Sequence, residues 1–334
     1  MTIQALTADD VAKAYAVAVS PTIRALIDPA DPVDPIARQF LPDVAELTVT
    51  AEELADPIAD EAHSPVKGIV HRHPDRVLLK AVATCPVYCR FCFRREMIGP
   101  GKPNALSAAD LSQALAYIRS HPEIWEVILT GGDPFILSPR RMGQITQALA
   151  ETGHVKVLRW HTRVPVVEPD WVTDELAASL IAPGLTSWVA IHANHPRELA
   201  PAARAATARL AKVGVALVSQ TVLLKGVNDN VETLSELMRG FVEAGIKPYY
   251  LHHPDLARGT SHFRLGIEEG LNLTRQLRAR ISGLAQPTYV LDLPGGHGKV
   301  VLDSTNVEKT GTGHRIRDFA GEWHDYPEAR SPEV

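Results

Sequence analysis

The sequence predicts an α/β fold of repeated strand–helix units, and three observations carry that prediction. Six apolar, β-branched runs follow one another from Arg76: "RVLLKAVA", "EVILTGG", "VKVLRWHTR", "TSWVAIHAN", "ALVSQTVLL" and "KPYYLHH". Amphipathic helical stretches separate them, several opened by start signals. Polar residues gather where the runs end: Cys85, Gly131, Gly132 and Asp133, His161 and Arg163, His192 and Asn194, Gln220, and His252 to Asp255. Near-continuous apolar strands alternating with helices imply parallel pairing, right-handed crossovers and helices on the face of the sheet. Such units in succession build either an incomplete barrel or a doubly wound sheet, and both bind ligands at the C-terminal edge of the strands. The distribution of polar residues points to an enzyme.

In chain order, residues 1–70 stand apart as an N-terminal helical appendage. The stretch "ALIDPADPVDPIARQFLPDVAELTVTAEELADPIADEAHSPV" is punctuated by proline and aspartate. Each X-Pro step disfavours a continuing helix, so short helices between proline turns are expected. Residues 71–300 carry the strand–helix units. Ser107 with Asp110 resembles a capping box, Ser138-Pro139 reads as N-cap and first helical residue, and Thr173 caps "DELAASLI". A seventh strand-like run, "TYVLDL", leads into the glycine-rich "PGGHGK". Residues 301–334 read as a polar C-terminal tail with a frayed end.

The chain has 334 residues, 45% hydrophobic and 22% charged, enough for one large α/β domain or two small ones with a sizeable core. A net charge of -5 offers no general attraction to nucleic acid or to an anionic membrane. No run of about 18 uninterrupted apolar residues occurs, and "MTIQALTADD" lacks a basic region followed by an apolar one. A cytoplasmic location without membrane or nucleic-acid partners is expected.

All three cysteines, Cys85, Cys89 and Cys92, fall within "TCPVYCRFCFRR" directly after the first barrel-type strand. Clustered thiols of this kind suggest metal or redox chemistry rather than a disulfide scaffold. A tetrahedral zinc site would need a fourth ligand, with His71 and His73 nearest in sequence. A cubane iron–sulfur cluster held by three thiolates keeps one iron free of protein ligands, where a substrate can bind and be reduced. The segment "DLPGGHGK" is the second informative stretch. It is not a phosphate-binding P-loop, because Val300 follows the lysine where Ser or Thr is required. Its glycines allow close backbone approach and deliver Lys299 to the barrel mouth, where a partly desolvated amine can bond covalently to an aldehyde cofactor.

The spacing C-x₃-C-x₂-C, with Phe91 before the last cysteine, resembles the radical S-adenosylmethionine superfamily. That resemblance implies a partial (β/α)₆ barrel and a [4Fe-4S] cluster on Cys85, Cys89 and Cys92. It also implies S-adenosylmethionine on the open iron, cleaved by one electron to a 5′-deoxyadenosyl radical. Phe91, Gly131, Gly132 and Asp133 match positions at the cluster and the S-adenosylmethionine site. The further segments "HRHPDRVLL", "SQTVLLKGVNDN", "PYYLHHPDLARGTSHFR" and "LDLPGGHGK" resemble lysine 2,3-aminomutases, in family order from about residue 65 to 300. This implies pyridoxal 5′-phosphate on Lys299, with Arg72, His73 and Arg76 near its phosphate. Arg94 matches the arginine that pairs with the substrate α-carboxylate. Asp255 and Asp292 match the two aspartates that hold the side-chain ammonium of lysine. An electron donor such as flavodoxin or ferredoxin is implied as partner, with a small-molecule amino acid as substrate.

Three departures qualify the resemblance. Asn230 stands where longer relatives carry a zinc-binding cysteine, and the C-terminal cysteine group is absent, so any homo-oligomer closes without a zinc link. His73 and His297 replace an aromatic residue and a glycine of the family pattern. Short relatives that make β-lysine for modifying elongation factor P tend to lose the second aspartate, which this chain keeps as Asp292. Conversion of free L-lysine to β-lysine is the first reading. The alternatives are an aminomutase serving elongation factor P and one acting on another amino acid.

Overall fold

The computed structural model describes residues 6–99, 101, 104–303, 305–311, 313–318 and 320–328. Among its described residues, the proline-punctuated N-terminal segment forms three short α-helices, α1 (Ala8–Ala14), α2 (Pro21–Leu26) and α3 (Pro35–Phe40), and a 3₁₀ turn, Val44–Leu47. Ser20 and Asp34 cap the second and third, each followed by proline at the first helical position. Helices this short are marginal alone and depend on what they pack against. Their anchors are charged as well as apolar. Asp34, Glu46, Glu53 and Asp60 are all buried. Each meets an arginine of the barrel: Arg197 at 2.7 Å, Arg90 at 2.6 Å, Arg264 at 2.9 Å and Arg94 at 2.9 Å, respectively.

The barrel begins with an antiparallel hairpin, β1 (Ile69–His73) and β2 (Arg76–Val82). Parallel strands follow in chain order: β3 (Glu126–Gly131), β4 (Val157–Thr162), β5 (Thr186–His192), β6 (Ala216–Val222), β7 (Lys247–His252) and β8 (Thr288–Leu293). The run "TYVLDL" thus joins the six expected strands as a seventh parallel one. β9 (Gly298–Val301) returns antiparallel to β8. β1 and β9 are the edges of this nine-stranded sheet, so the barrel is partial. The crossovers contain α4 (Ala108–Arg119), α5 (Pro139–Ala150), α6 (Val164–Val167), α7 (Asp174–Ser179), α8 (Pro201–Lys212), α9 (Val231–Glu243) and α10 (Ile267–Arg280). Between the two edges lies N-terminal chain. Gly295 N–H donates to the Pro57 carbonyl at 3.2 Å, and Arg72 Nη2 to the Ile58 carbonyl at 2.6 Å.

One continuous apolar core joins strands and helices, with Trp160, Phe135, Phe241, Leu129 and Ile118 fully enclosed. Burying a side chain of this size stabilises the fold by about 1.5–3 kcal/mol. The expected caps form, with one difference. Ser107 Oγ accepts from Asp110 N–H at 3.1 Å, but the Asp110 carboxylate turns to the Ser107 hydroxyl and Lys67 instead of closing a reciprocal box. Asn230 caps α9, accepting from Thr233 N–H at 2.8 Å.

The C-terminal region departs from the expected polar tail. It forms a three-stranded antiparallel sheet, β10 (Val307–Lys309), β11 (Gly313–Arg317) and β12 (Trp323–Pro327). In β11, buried His314 and Ile316 alternate with exposed Arg315 and Arg317, the period of a strand packed on one side. Too few apolar residues mark that face for composition to reveal it. The expected frayed end, residues 329–334, lies outside the described residues, as do residues 1–5 of the helical segment.

Candidate active site

The loop leaving β2 carries three free, partly buried thiols. Burial pushes the Cys85 thiol well up and that of Cys92 up to about 11, and the neighbouring cysteines add to both shifts. Crowded thiols of this kind suit a cationic centre, which binds thiolates and displaces their protons. Arg163, at the end of β4, donates from Nη1 to Cys89 Sγ at 2.9 Å. Its other end is fixed by Glu198 and Gln39, each at 2.6 Å, and Phe40 covers its guanidinium plane. Glu46 grips both flanks of the loop, taking Arg90 in a two-pronged contact and Arg95 beside it.

The two glycines after β3 act through close approach. A Cβ on Gly132 would lie 2.2 Å from the Thr84 carbonyl, and one on Gly131 (φ +107°) 2.6 Å from the Val82 carbonyl. The end of β3 therefore rides against the backbone entering the cysteine loop, with no room for any side chain. Asp133 turns inward, where its carboxylate accepts from Phe135 N–H, Thr162 Oγ1 and Arg163 N–H. Burial raises its pKa despite those bonds. Phe91 packs edge-on to Phe263 and His192 in a small buried cluster with Leu224 and Val227.

A second polar group forms where β7, β8 and β9 meet. Antiparallel pairing sets Lys299 directly opposite Asp292. Lys299 Nζ donates to Asp292 Oδ2, lies 3.3 Å from His252 Nδ1 and sits 5.3 Å above the Tyr250 ring. Burial alone would raise Asp292, but the Lys299 ammonium and His252 hold its carboxyl well below the usual range. Asp255 behaves oppositely. Burial, then the charge of Asp292, pushes it up to about 8, against smaller opposing effects of Lys299 and Arg94. Its Oδ1 is buried without a hydrogen-bond partner, as are His161 Nε2 and His192 Nε2. Burial and neighbouring cations hold both histidines well below their ordinary value. A buried polar atom left without a partner suits a site that takes a polar ligand.

Arg94 stands between the two groups. Its Nε donates to Asp60 Oδ2 at 2.9 Å and its Nη1 to Thr130 Oγ1 at 3.1 Å. Asp60 is shared, since Arg72 lies 3.3 Å and Lys80 3.7 Å from its oxygens. Three cations around one carboxylate leave a net positive surface suited to carboxylate or phosphate. Arg76 is set apart, half exposed and paired with its neighbour Asp75 at 2.7 Å. Burial, then Arg76 and Arg72, lowers His73 to about 4. Sequence reasoning missed Asp60 and Lys80, and saw Arg163 only as a strand-end residue. The acidic run "ADPIADEAH" is the sole signal for Asp60, and it reads equally as solvated surface.

The Radical SAM superfamily profile matches residues 80–238, from within β2 to within α9. The L-lysine 2,3-aminomutase of Clostridium subterminale is 37% identical over 317 residues, covering 95% of this chain and 76% of that one. The L-lysine 2,3-aminomutase of Fusobacterium nucleatum is 37% identical over 313 residues, 93% of this chain and 73% of that one. The glutamate 2,3-aminomutase of Clostridioides difficile is 34% identical over 305 residues, 91% of this chain and 72% of that one. With three thiols on the first crossover loop and a lysine facing an aspartate across the last hairpin, this chain belongs to the 2,3-aminomutase family of radical S-adenosylmethionine enzymes.

Proposed function

We propose that this enzyme moves the α-amino group of L-lysine to the β-carbon, giving β-lysine. The observation that supports the choice of substrate is Asp292 holding the Lys299 ammonium, with the buried Asp255 carboxyl left unpaired nearby. Whatever engages the Lys299 nitrogen releases Asp292 and leaves both aspartates to a second primary ammonium, the ε-group of lysine. A glutamate side chain would face two like charges there.

Cys85, Cys89 and Cys92 would hold the [4Fe-4S] cluster with S-adenosylmethionine, and Lys299 the pyridoxal 5′-phosphate. When bound, these groups supply radical abstraction of hydrogen from an unactivated carbon and a carrier for the migrating nitrogen. The protein's own part is placement. Arg94, fixed by Asp60 and Thr130 on one side, directs its remaining donor to the substrate carboxylate. Arg72 and His73 on β1, with Arg76, would hold the cofactor phosphate. His252 stays neutral, held to about 4 by burial and Lys299, so it accepts from Lys299 without adding charge. The glycines at the end of β3 let the strand lie against the entry to the cluster loop, and the Phe91 cluster packs against Cys89. An electron donor delivers the single electron from outside. Among the described residues no helix is long and apolar enough to cross a membrane.

Asp255→Asn tests the substrate assignment, because Asp255 does not touch Lys299 and its loss leaves the cofactor lysine in place. Removing one partner of a buried charge pair costs roughly 2–5 kcal/mol, so kcat/KM for lysine should fall tenfold or more with iron content and pyridoxal loading unchanged. Parent-like lysine turnover by this variant would place the ammonium elsewhere.

A further inference from the structure

Outside the active site, three metal-ligating side chains converge at the turn that presents Lys299. His297 lies between the 3₁₀ turn Pro294–Gly296 and β9, two residues before the lysine. Asp318 and His324 belong to the hairpin joining β11 to β12. One ligand atom from each lies within 4.8 Å of the other two. The His297 and His324 rings approach to 4.0 Å between centroids at 38°. His324 Nε2 is 2.8 Å from Asp318 Oδ2. From these contacts we propose a zinc(II) site on His297, Asp318 and His324 that fastens the C-terminal sheet to the lysine-bearing turn.

The carboxylate is already organised for such a role. Asp318 Oδ1 accepts from the Ala320 and Glu322 N–H groups, both at 2.9 Å, so its second oxygen is aimed without help from a metal. The Asp318 side chain is only 7% exposed, and among the described residues it pairs with no lysine or arginine. In tetrahedral zinc, bonds of about 2.0–2.1 Å set ligand atoms about 3.3 Å apart, so the His324–Asp318 pair, now at 2.8 Å, opens slightly to admit the ion. Two imidazoles and one carboxylate select zinc over magnesium or calcium, which prefer all-oxygen shells. Water completes the fourth position. Composition hides the arrangement, because His297 is one exposed residue in a glycine run and its partners lie more than twenty residues later.

The link has a mechanical consequence. Gly295, Gly296 and Gly298 all take positive φ, so the turn before Lys299 is built from the least restrained residues in the chain. A bound ion couples that turn to a sheet otherwise seated by His314, Ile316 and Tyr326, which are buried.

The test uses reconstituted holoenzyme equilibrated with micromolar zinc and desalted. Metal analysis should give about one zinc per chain in addition to the cluster iron. Zinc K-edge absorption, which the iron does not obscure, should show nitrogen and oxygen neighbours with imidazole scattering and no sulfur. His297→Ala keeps the His324–Asp318 bond and the hairpin, so it should fold normally yet bind zinc at least tenfold more weakly. A Cys85→Ala, Cys89→Ala, Cys92→Ala triple variant should keep its zinc. Zinc should also slow amide exchange across residues 313–327 in the parent and not in His297→Ala. Absence of zinc after desalting, a sulfur shell, parent-like zinc affinity in His297→Ala, or zinc binding without slower exchange would each overturn the proposal.

Discussion

Replacing Glu46 with glutamine should loosen the cysteine loop more than any exposed charge change of equal size. Glu46 is wholly buried, and its carboxylate receives Arg90 Nε at 2.9 and 3.1 Å, Arg90 Nη2 at 2.6 Å, Arg95 Nη2 and Asp43 N–H at 2.9 Å. Both arginines are nearly inaccessible, at 1% and 8%; Arg90 lies between Cys89 and Cys92, and Arg95 three residues past Cys92. The amide keeps the shape but removes the negative charge and one acceptor, leaving two buried guanidinium groups uncompensated. Breaking such a contact costs about 3–5 kcal/mol. At about 2 °C per kcal/mol, suitable for a long chain, the unfolding midpoint should drop by about 6–10 °C. Anaerobic thermal scans should be run on cluster-loaded protein, with iron content measured alongside. The control is Glu232→Gln, which breaks the exposed Arg280–Glu232 pair and should shift the midpoint by about 1–2 °C at most. Equal shifts in the two variants, or parent-like stability and iron content in Glu46→Gln, would refute the reasoning.

Two other consequences follow from neighbouring charges. Arg163 donates to Cys89, so Arg163→Gln should make cluster reduction harder. The midpoint in an EPR-monitored titration should move negative by about 40 mV for each kcal/mol of lost stabilisation, and an unchanged potential would exclude this contact from tuning. In the substrate-free enzyme burial and Asp292 raise Asp255 from 3.8 to about 8, so the protonated form is favoured by folding. That contribution to stability is fully present below the unfolded value and lost as pH rises through about 8. Binding of a lysine ammonium requires the ionised form. Thus kcat/KM for lysine should climb as pH passes about 8 and then level, a limb missing from Asp255→Asn. A flat parent profile would contradict the assignment.

The strands were legible because a parallel strand buried on both faces must read as an apolar run, and all seven such runs became parallel strands. β9 was hidden, since its four residues follow a glycine-rich turn and carry a lysine inward. The cysteine loop and Lys299 announce themselves through spacing and glycine content. Asp60 does not. Its partners Arg72, Lys80 and Arg94 lie 12 to 34 residues later and meet it only after the N-terminal segment fills the gap between β1 and the end of β8. Glu46, Glu53 and Asp34 were equally invisible, because an acidic residue in a proline-rich stretch looks solvated until its arginine is known. Asp133 shows the converse. The family resemblance places it at the cofactor site with the two glycines, and the structure adds that its carboxylate accepts from Thr162 and the backbone of Arg163 and Phe135.

The central claim is tested most directly by anaerobic incubation of the reconstituted enzyme with S-adenosylmethionine, pyridoxal 5′-phosphate, a one-electron reductant and, separately, lysine, glutamate and arginine. Products should be separated and identified by mass spectrometry. Lysine should give β-lysine, dependent on all three additions and abolished by Cys89→Ala and Lys299→Arg, and glutamate should give no β-glutamate above background. Formation of β-glutamate with lysine untouched, or β-lysine in the Lys299→Arg variant, would contradict the claim.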